Sequence, residues 1–94
     1  MSTRKEQVLR HLAGMGSGPY RYVMPYGSTQ DGIADDVGIS RAHASIVLKQ
    51  LEDEMMVYHE KSLIHGSRSR RNSYRLMPLG WMVVKDLIEC EEAM

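Results

Sequence analysis

The 94-residue sequence has one cysteine, one tryptophan, three prolines and no phenylalanine, and its 12 Lys and Arg residues balance its 12 Asp and Glu residues. The lone Cys90 can form neither an internal disulfide nor a Cys-pair zinc site, which favours a cytoplasmic protein. No stretch approaches the run of about 18 apolar residues that marks a membrane span, and no apolar run of a signal peptide follows the N-terminal charges. A membrane span, a disulfide scaffold and a large multidomain enzyme are therefore excluded.

What is present is typical of one small folded domain over residues 1–94. Hydrophobic residues make up 43% of the chain, enough to bury a thin core and too many for a disordered tail. The balanced charges are unevenly placed: four arginines and no acid lie between Ser67 and Arg75, and four acids and no base lie between Asp86 and Glu92. Because salt screens each charge beyond about 8–10 Å, the local sign matters more for a polyanionic partner than the total.

Helical periodicity and start signals predict three helices in the first half of the chain. Thr3 and Glu6 have the spacing of a capping box, which begins a helix over about residues 3–14. A short extended piece is predicted over 22–24. Ser28 or Thr29 can cap a second helix, and Ser40 can cap a third that ends near Glu54. Apolar side chains recur at helical spacing in each helix and form the candidate core: Val8, Leu9, Leu12, Ile33, Ala34, Val37, Ala44, Val47, Leu48 and Leu51.

The second half predicts a β-hairpin and a last helix. Residues 57–65 are rich in β-forming types, and residues 73–77 alternate polar and apolar side chains. The polar segment 66–72 between them contains Arg68, Arg70 and Arg71 and predicts a hairpin with a basic tip. Pro78 suits the first turn of a helix over about 79–92, on which Trp81, Val84 and Ile88 form one apolar stripe and Val83 and Leu87 widen it.

The segment from Gln30 to Leu51 has the spacing of a DNA-binding helix-turn-helix. Two helices joined by a turn of three to four residues touch closely, which requires a small residue such as Ala34 on the first helix. The turn needs a residue that tolerates a positive φ, and Gly38 is at that place. Ile33, Val37, Ile39 and Val47 can fill the wedge between the helices. The helix-turn-helix is predicted over about 29–54.

The order of helix, helix-turn-helix, basic-tipped hairpin and final helix predicts a mainly α, α+β fold. Its parts are a three-helix core, a β-hairpin wing over about 57–77 and a C-terminal helix over about 79–92, which together make a winged helix-turn-helix. The sequence resembles MarR-like winged helix-turn-helix transcription regulators, particularly the archaeal ones. The segments that carry the resemblance are TQDGIA at 29–34, GISRAH at 38–43, LKQLE at 48–52 and YRLMPLG at 74–80.

The resemblance and helix geometry together assign DNA contacts. A recognition helix, here over 40–54, enters the major groove by its N-terminal half, so the residues expected to meet base edges are Arg41, Ala42, His43 and Ser45. Other side chains are expected on the phosphate backbone or, from the wing over 66–72, in the adjacent minor groove. These are Thr29, Ser40, Lys49, Arg68, Arg70 and Arg71. The expected partners are double-stranded DNA and a second copy of the chain, bound through the first and C-terminal helices.

Signals for an enzyme, a metal or a cofactor are missing from the sequence. No nucleophile–base pair with an orienting group and no glycine-rich phosphate loop occurs. His43, His59 and His65 fall on different predicted elements without metal-ligand spacing. We therefore expect no enzyme activity and no cofactor. Two alternatives stay open: a winged helix used for protein–protein contact or detached from a longer multidomain protein, and a metal- or redox-responsive switch that uses histidine and Cys90.

Overall fold

The computed structural model describes residues 3–15 and 23–92, and its elements follow the predicted order. Helix α1 (Arg4–Gly14) is followed by strand β1 (Val23–Met24), a 3₁₀ turn at Tyr26–Ser28, and helices α2 (Gln30–Val37) and α3 (Arg41–Asp53). Strands β2 (Val57–Ile64) and β3 (Arg70–Leu76) precede helix α4 (Pro78–Glu92). This arrangement confirms the mainly α, α+β winged-helix class. Of the extended piece predicted at 22–24, Tyr22 lies outside the described residues.

The helix boundaries follow from their caps. The Thr3 hydroxyl accepts a hydrogen bond from the Glu6 amide, and the Glu6 side chain accepts one from the Thr3 amide, which completes the predicted capping box. Between the two candidate caps of α2, the structure selects Thr29, whose hydroxyl accepts from the Gly32 amide. Gly38 ends α2 with a φ of +80°, and Ser40 caps α3 through the His43 amide. The turn of the helix-turn-helix therefore forms as its sequence predicts.

The three strands form one sheet in the order β1-β2-β3. Strand β1 pairs parallel with β2, and β2 pairs antiparallel with β3 from Val57 opposite Leu76 to Leu63 opposite Arg70. The hairpin is longer than predicted, because β3 begins at Arg70 and not at residue 73. The predicted basic tip at 66–72 is corrected to a turn over 65–69 that carries Arg68, while Arg70 and Arg71 belong to the strand.

One core joins the helices to the sheet. Its buried side chains come from all four helices and from both hairpin strands, and Val8, Ile33 and Leu51 are inaccessible to solvent. Two glycines allow the closest packing: a Cβ at Gly32 would lie 2.2 Å from the Tyr26 carbonyl oxygen, and one at Gly80 would lie 2.2 Å from that of Met56. Among the helices described, none combines the length and apolar character needed to cross a bilayer.

Candidate nucleic-acid interface

Helix α3 buries one face and leaves the other open to solvent. Ala44, Val47, Leu48 and Leu51 are buried, as predicted. The outward side chains are those of Arg41, Ala42, His43, Ser45, Ile46, Lys49 and Gln50, all of which are exposed. The N-terminal half of a recognition helix is the part that enters the major groove. The side chains in that half predicted to meet bases are Arg41, Ala42, His43 and Ser45, and no described segment of the chain covers them.

An acidic side chain links the start of α3 to the wing. Asp31 lies in the first turn of α2, and its Oδ1 is 2.6 Å from Arg41 Nε on α3. Its Oδ2 lies 3.5 Å from Arg71 Nη1 on β3. The Gln30 amide group donates to the Arg41 carbonyl at 2.9 Å, which adds a second contact between α2 and α3. These side chains, with Thr29 and Asn72, line a hollow of about 250 Å³, so the recognition helix and the wing share one surface.

The predicted backbone-contacting residues other than Thr29 are open to solvent. Ser40, Lys49, Arg68, Arg70 and Arg71 are exposed. Since successive strand residues point to opposite faces, the contact of Arg71 with Asp31 turns Arg71 toward the helices and Arg70 away from them.

Thr29 differs from the other predicted backbone contacts. It is only 3% exposed, and both its amide and its hydroxyl donate to the Tyr26 carbonyl, at 3.0 and 2.7 Å. Both donors of Thr29 are thus used within the chain, where Thr29 caps α2, and its expected phosphate contact stays a prediction.

Two residues of this surface were missed by sequence reasoning. Ile46 is 57% exposed on the outer face of α3; its place followed from the helical pattern, but an aliphatic side chain gave no polar signal of a contact. For Asp31, the sequence alone predicts no contact with α3 or the wing. Its partners Arg41 and Arg71 come from other elements and become visible only when the helix-turn-helix and the wing are assembled.

His11, His59 and the acidic segment of α4 lie away from this surface. His59 bonds to Glu52, and His11 bonds through Nε2 to the Gly27 carbonyl at 2.8 Å. Within residues 3–15 and 23–92, no group of three or more His, Cys, Asp or Glu side chains is arranged to hold a metal ion. On α4, Asp86, Glu89, Glu91 and Glu92 are exposed, and Glu91 pairs with Arg10 of α1.

A second surface lies between α1 and α4. A groove of about 650 Å³ is lined by Arg10, Ala13, Gly14, Trp81, Val84, Lys85, Ile88, Glu89 and Glu92. Val84 at its floor is buried, whereas Trp81 and Ile88 remain 38% and 44% exposed. Within residues 3–15 and 23–92, the predicted apolar stripe of α4 is therefore only partly covered.

The solved structures of MepR and ZitR have the same fold as this chain. MepR, a transcription regulator of the Staphylococcus aureus multidrug efflux pump MepA, superposes with a TM-score of 0.73 at 20% identity over 100% of this chain and 60% of MepR. The MepR–DNA complex gives a TM-score of 0.75 at 18% identity, covering 100% of this chain and 59% of that one. Lactococcus lactis ZitR, a zinc-responsive MarR family member, gives 0.70 at 20% identity, covering 99% and 55%.

These likenesses establish the fold, which is the winged helix of MarR-family regulators. No family model matches the sequence, and no curated protein matches it. The chain spans about three fifths of the length of MepR and just over half that of ZitR.

Proposed function

We propose that this chain is a transcriptional regulator that binds double-stranded DNA and is not an enzyme. The observation that carries the proposal is the shared surface at Asp31, where the exposed start of α3 meets the wing. A duplex lying on this surface would meet the recognition helix in its major groove and the wing on its backbone or in the next minor groove. The structures of MepR bound to DNA support this function for a chain of the same fold.

The proposed contacts follow the exposed side chains. Arg41, Ala42, His43 and Ser45 are proposed to meet base edges, with Arg41 on guanine and Ala42 on a thymine methyl group. Ser40, Lys49, Arg68, Arg70 and Arg71 are proposed to contact phosphates or the minor groove. Residues 1–94 are proposed to form one domain, supported by a core that joins α1 to α4. A cytoplasmic location is expected for a DNA regulator. The archaeal resemblance stays a prediction, because MepR and ZitR come from bacteria.

Replacement of Arg70 by alanine should weaken binding to every DNA sequence alike. An arginine on a phosphate releases about one counterion, so the slope of log K against log salt should fall by about 0.9. Fluorescence anisotropy with a random labelled duplex between 50 and 200 mM salt measures this slope. Arg4→Ala, which removes an exposed arginine from α1, is the matched control and should leave the slope unchanged. Equal slopes for wild type and Arg70→Ala would remove Arg70 from the contacts.

Replacement of Arg41 by alanine should act on selectivity. A bidentate arginine–guanine contact discriminates by about 1–3 kcal/mol, so one position of the duplexes selected from a random library should lose its preference. Lys49→Ala, which removes an exposed cation two turns further along α3, should weaken all duplexes equally and keep the preference. A selected sequence that is identical for Arg41→Ala and wild type would contradict base reading by Arg41.

A second candidate function is a winged helix that binds another protein. The exposed apolar side chains of α4, Leu79, Trp81, Met82 and Ile88, favour it. The salt titration separates the two: no binding of any duplex at 50 mM salt would overturn the DNA-binding proposal and leave the protein-binding one.

A further inference from the structure

We propose that Asp31 is a specificity-determining residue of the DNA interface. In the free protein the Asp31 carboxylate pairs with the guanidinium groups of Arg41 and Arg71. The phosphates of a non-matching duplex must therefore compete with Asp31 for these two side chains. This inference rests on the proposed function and deepens it, because it concerns how the same surface distinguishes its own site from other DNA. Asp31 is a positioning residue: it acts through the two arginines and makes no base contact of its own.

The geometry of the carboxylate carries this inference. Each of its two oxygens faces a different arginine, at 2.6 and 3.5 Å, and the two arginines come from the two elements proposed to hold DNA. The Asp31 side chain is 24% exposed, whereas that of Arg41 is 75% exposed. The acid thus lies at the floor of the hollow with the guanidinium groups above it, between the protein and any approaching duplex.

Fold stability does not account for this arrangement. The Arg41 and Arg71 side chains are 75% and 51% exposed, and ion pairs with exposed arginines contribute little, because water and salt screen them and the side chains lose freedom. A negative charge on a surface that must approach phosphates also opposes binding of any duplex. The Asp31 carboxylate therefore lowers the affinity for every duplex. The advantage that offsets this loss has to be better discrimination between duplexes.

The selective gain arises from what replaces the carboxylate contact. A random duplex offers Arg41 and Arg71 only phosphates, and those contacts must compete with Asp31 for the same guanidinium groups. A duplex with a guanine opposite Arg41 offers two acceptors in a fixed geometry, and Asp31 keeps the Arg41 side chain aimed from the start of α3 before the duplex arrives. The free energy lost when Arg41 gives up its contact with Asp31 is then offset only at the matching site.

Asp31→Asn removes the charge at nearly unchanged shape and tests this directly. On a random duplex we expect about three- to tenfold tighter binding, and a slope of log K against log salt that is steeper by about 0.9, because Arg71 gains a phosphate. The ratio of selected-duplex to random-duplex affinity should fall about tenfold. Asp31→Glu, which keeps the charge, should restore most of that ratio.

Asp35→Asn is the matched control, since it removes the same charge one turn further along α2, where Asp35 accepts a hydrogen bond from the Tyr26 hydroxyl at 3.2 Å. It should leave both the ratio and the slope close to wild type. In an Arg71→Ala background, Asp31→Asn should no longer steepen the slope. Circular dichroism on all variants checks that the fold is retained, and the melting temperature should change by only a few degrees.

Four outcomes decide against the inference. Unchanged random-duplex affinity in Asp31→Asn, or equal weakening on random and selected duplexes, would leave Asp31 a structural residue and the DNA-binding proposal intact. The same tightening in Asp35→Asn would make the effect one of general charge. Wild-type protein that binds no duplex at low salt would overturn the proposed function itself, and this inference with it.

Discussion

Gly32→Ala should cost about 3 kcal/mol of folding stability, because the added methyl group would overlap the backbone of the preceding turn. The added Cβ would lie 2.2 Å from the Tyr26 carbonyl oxygen and 2.7 Å from Gly27 Cα. Both are backbone atoms, so no side-chain rotation relieves the overlap. Overpacking of this kind typically costs about 1–3 kcal/mol and occasionally more.

The Tyr26 carbonyl cannot easily move away. It accepts hydrogen bonds from the Thr29 amide at 3.0 Å and from the Thr29 hydroxyl at 2.7 Å. The same hydroxyl accepts from the Gly32 amide at 3.1 Å, so the 3₁₀ turn, the cap and the first turn of α2 are locked together. A shift large enough to admit a methyl group would break the cap that begins α2.

Thermal unfolding followed by circular dichroism measures the loss. A domain of this size loses about 4–8 °C of melting temperature per kcal/mol, so a decrease of about 12–24 °C is expected for Gly32→Ala. Gly14→Ala is the control: it ends α1 and a Cβ there has no atom within 4 Å, so the better helix former should leave stability equal or slightly raised. Equal melting temperatures for wild type and Gly32→Ala would mean that α2 can shift on the turn.

The parts of the fold that could be predicted are those set by neighbouring residues. Thr3 with Glu6, and Ser40 before α3, satisfy helix amides within three residues, and Gly38 takes the positive φ that its turn requires. The buried face of α3 follows from helical periodicity alone. In each of these places the local preference and the tertiary structure agree, which is why reading the sequence was sufficient.

The parts that could not be predicted depend on distant partners. Strand β3 begins at Arg70 because Leu63 lies opposite it on β2, whereas Arg70, Arg71 and Asn72 have the polar composition of a loop. The burial of Thr29 depends on Tyr26, and the contacts of Asp31 depend on α3 and the wing. In the candidate site, the exposure of the outer face of α3 could be foreseen. The position of Asp31 between Arg41 of α3 and Arg71 of β3 could not.

The second large effect is expected at the groove between α1 and α4, where we propose that two copies of the chain meet. One small module covers too little DNA for tight and selective binding, and a pair can engage two half-sites at once. Trp81 and Ile88 give the groove an exposed apolar centre, and Arg10, Lys85, Glu89 and Glu92 surround it with charge. An apolar core with a polar rim is the usual anatomy of a protein–protein interface.

Trp81→Glu should therefore convert a dimer to a monomer. A carboxylate in the centre of the groove would have to lose its water without a partner, and the unlinked modules would each bind one half-site. Coupling two sites raises affinity by about 10²–10⁴, so binding to a selected two-half-site duplex should weaken at least about 100-fold, while binding to a single half-site should change little. Sedimentation equilibrium at micromolar protein gives the mass, and anisotropy on the two duplexes gives the affinities.

Ile88→Glu changes a more exposed side chain of the same groove. If the groove is the interface, this variant should also be a folded monomer, which separates loss of the dimer from loss of the fold. Leu63→Glu places the same charge on an exposed aliphatic position of β2, away from α1 and α4, and should leave the mass that of two chains. Wild-type protein with the mass of a single chain at micromolar concentration would rule out the dimer. The exposed apolar residues of α4 would then be open to a different protein. They form the surface that the protein-binding alternative requires.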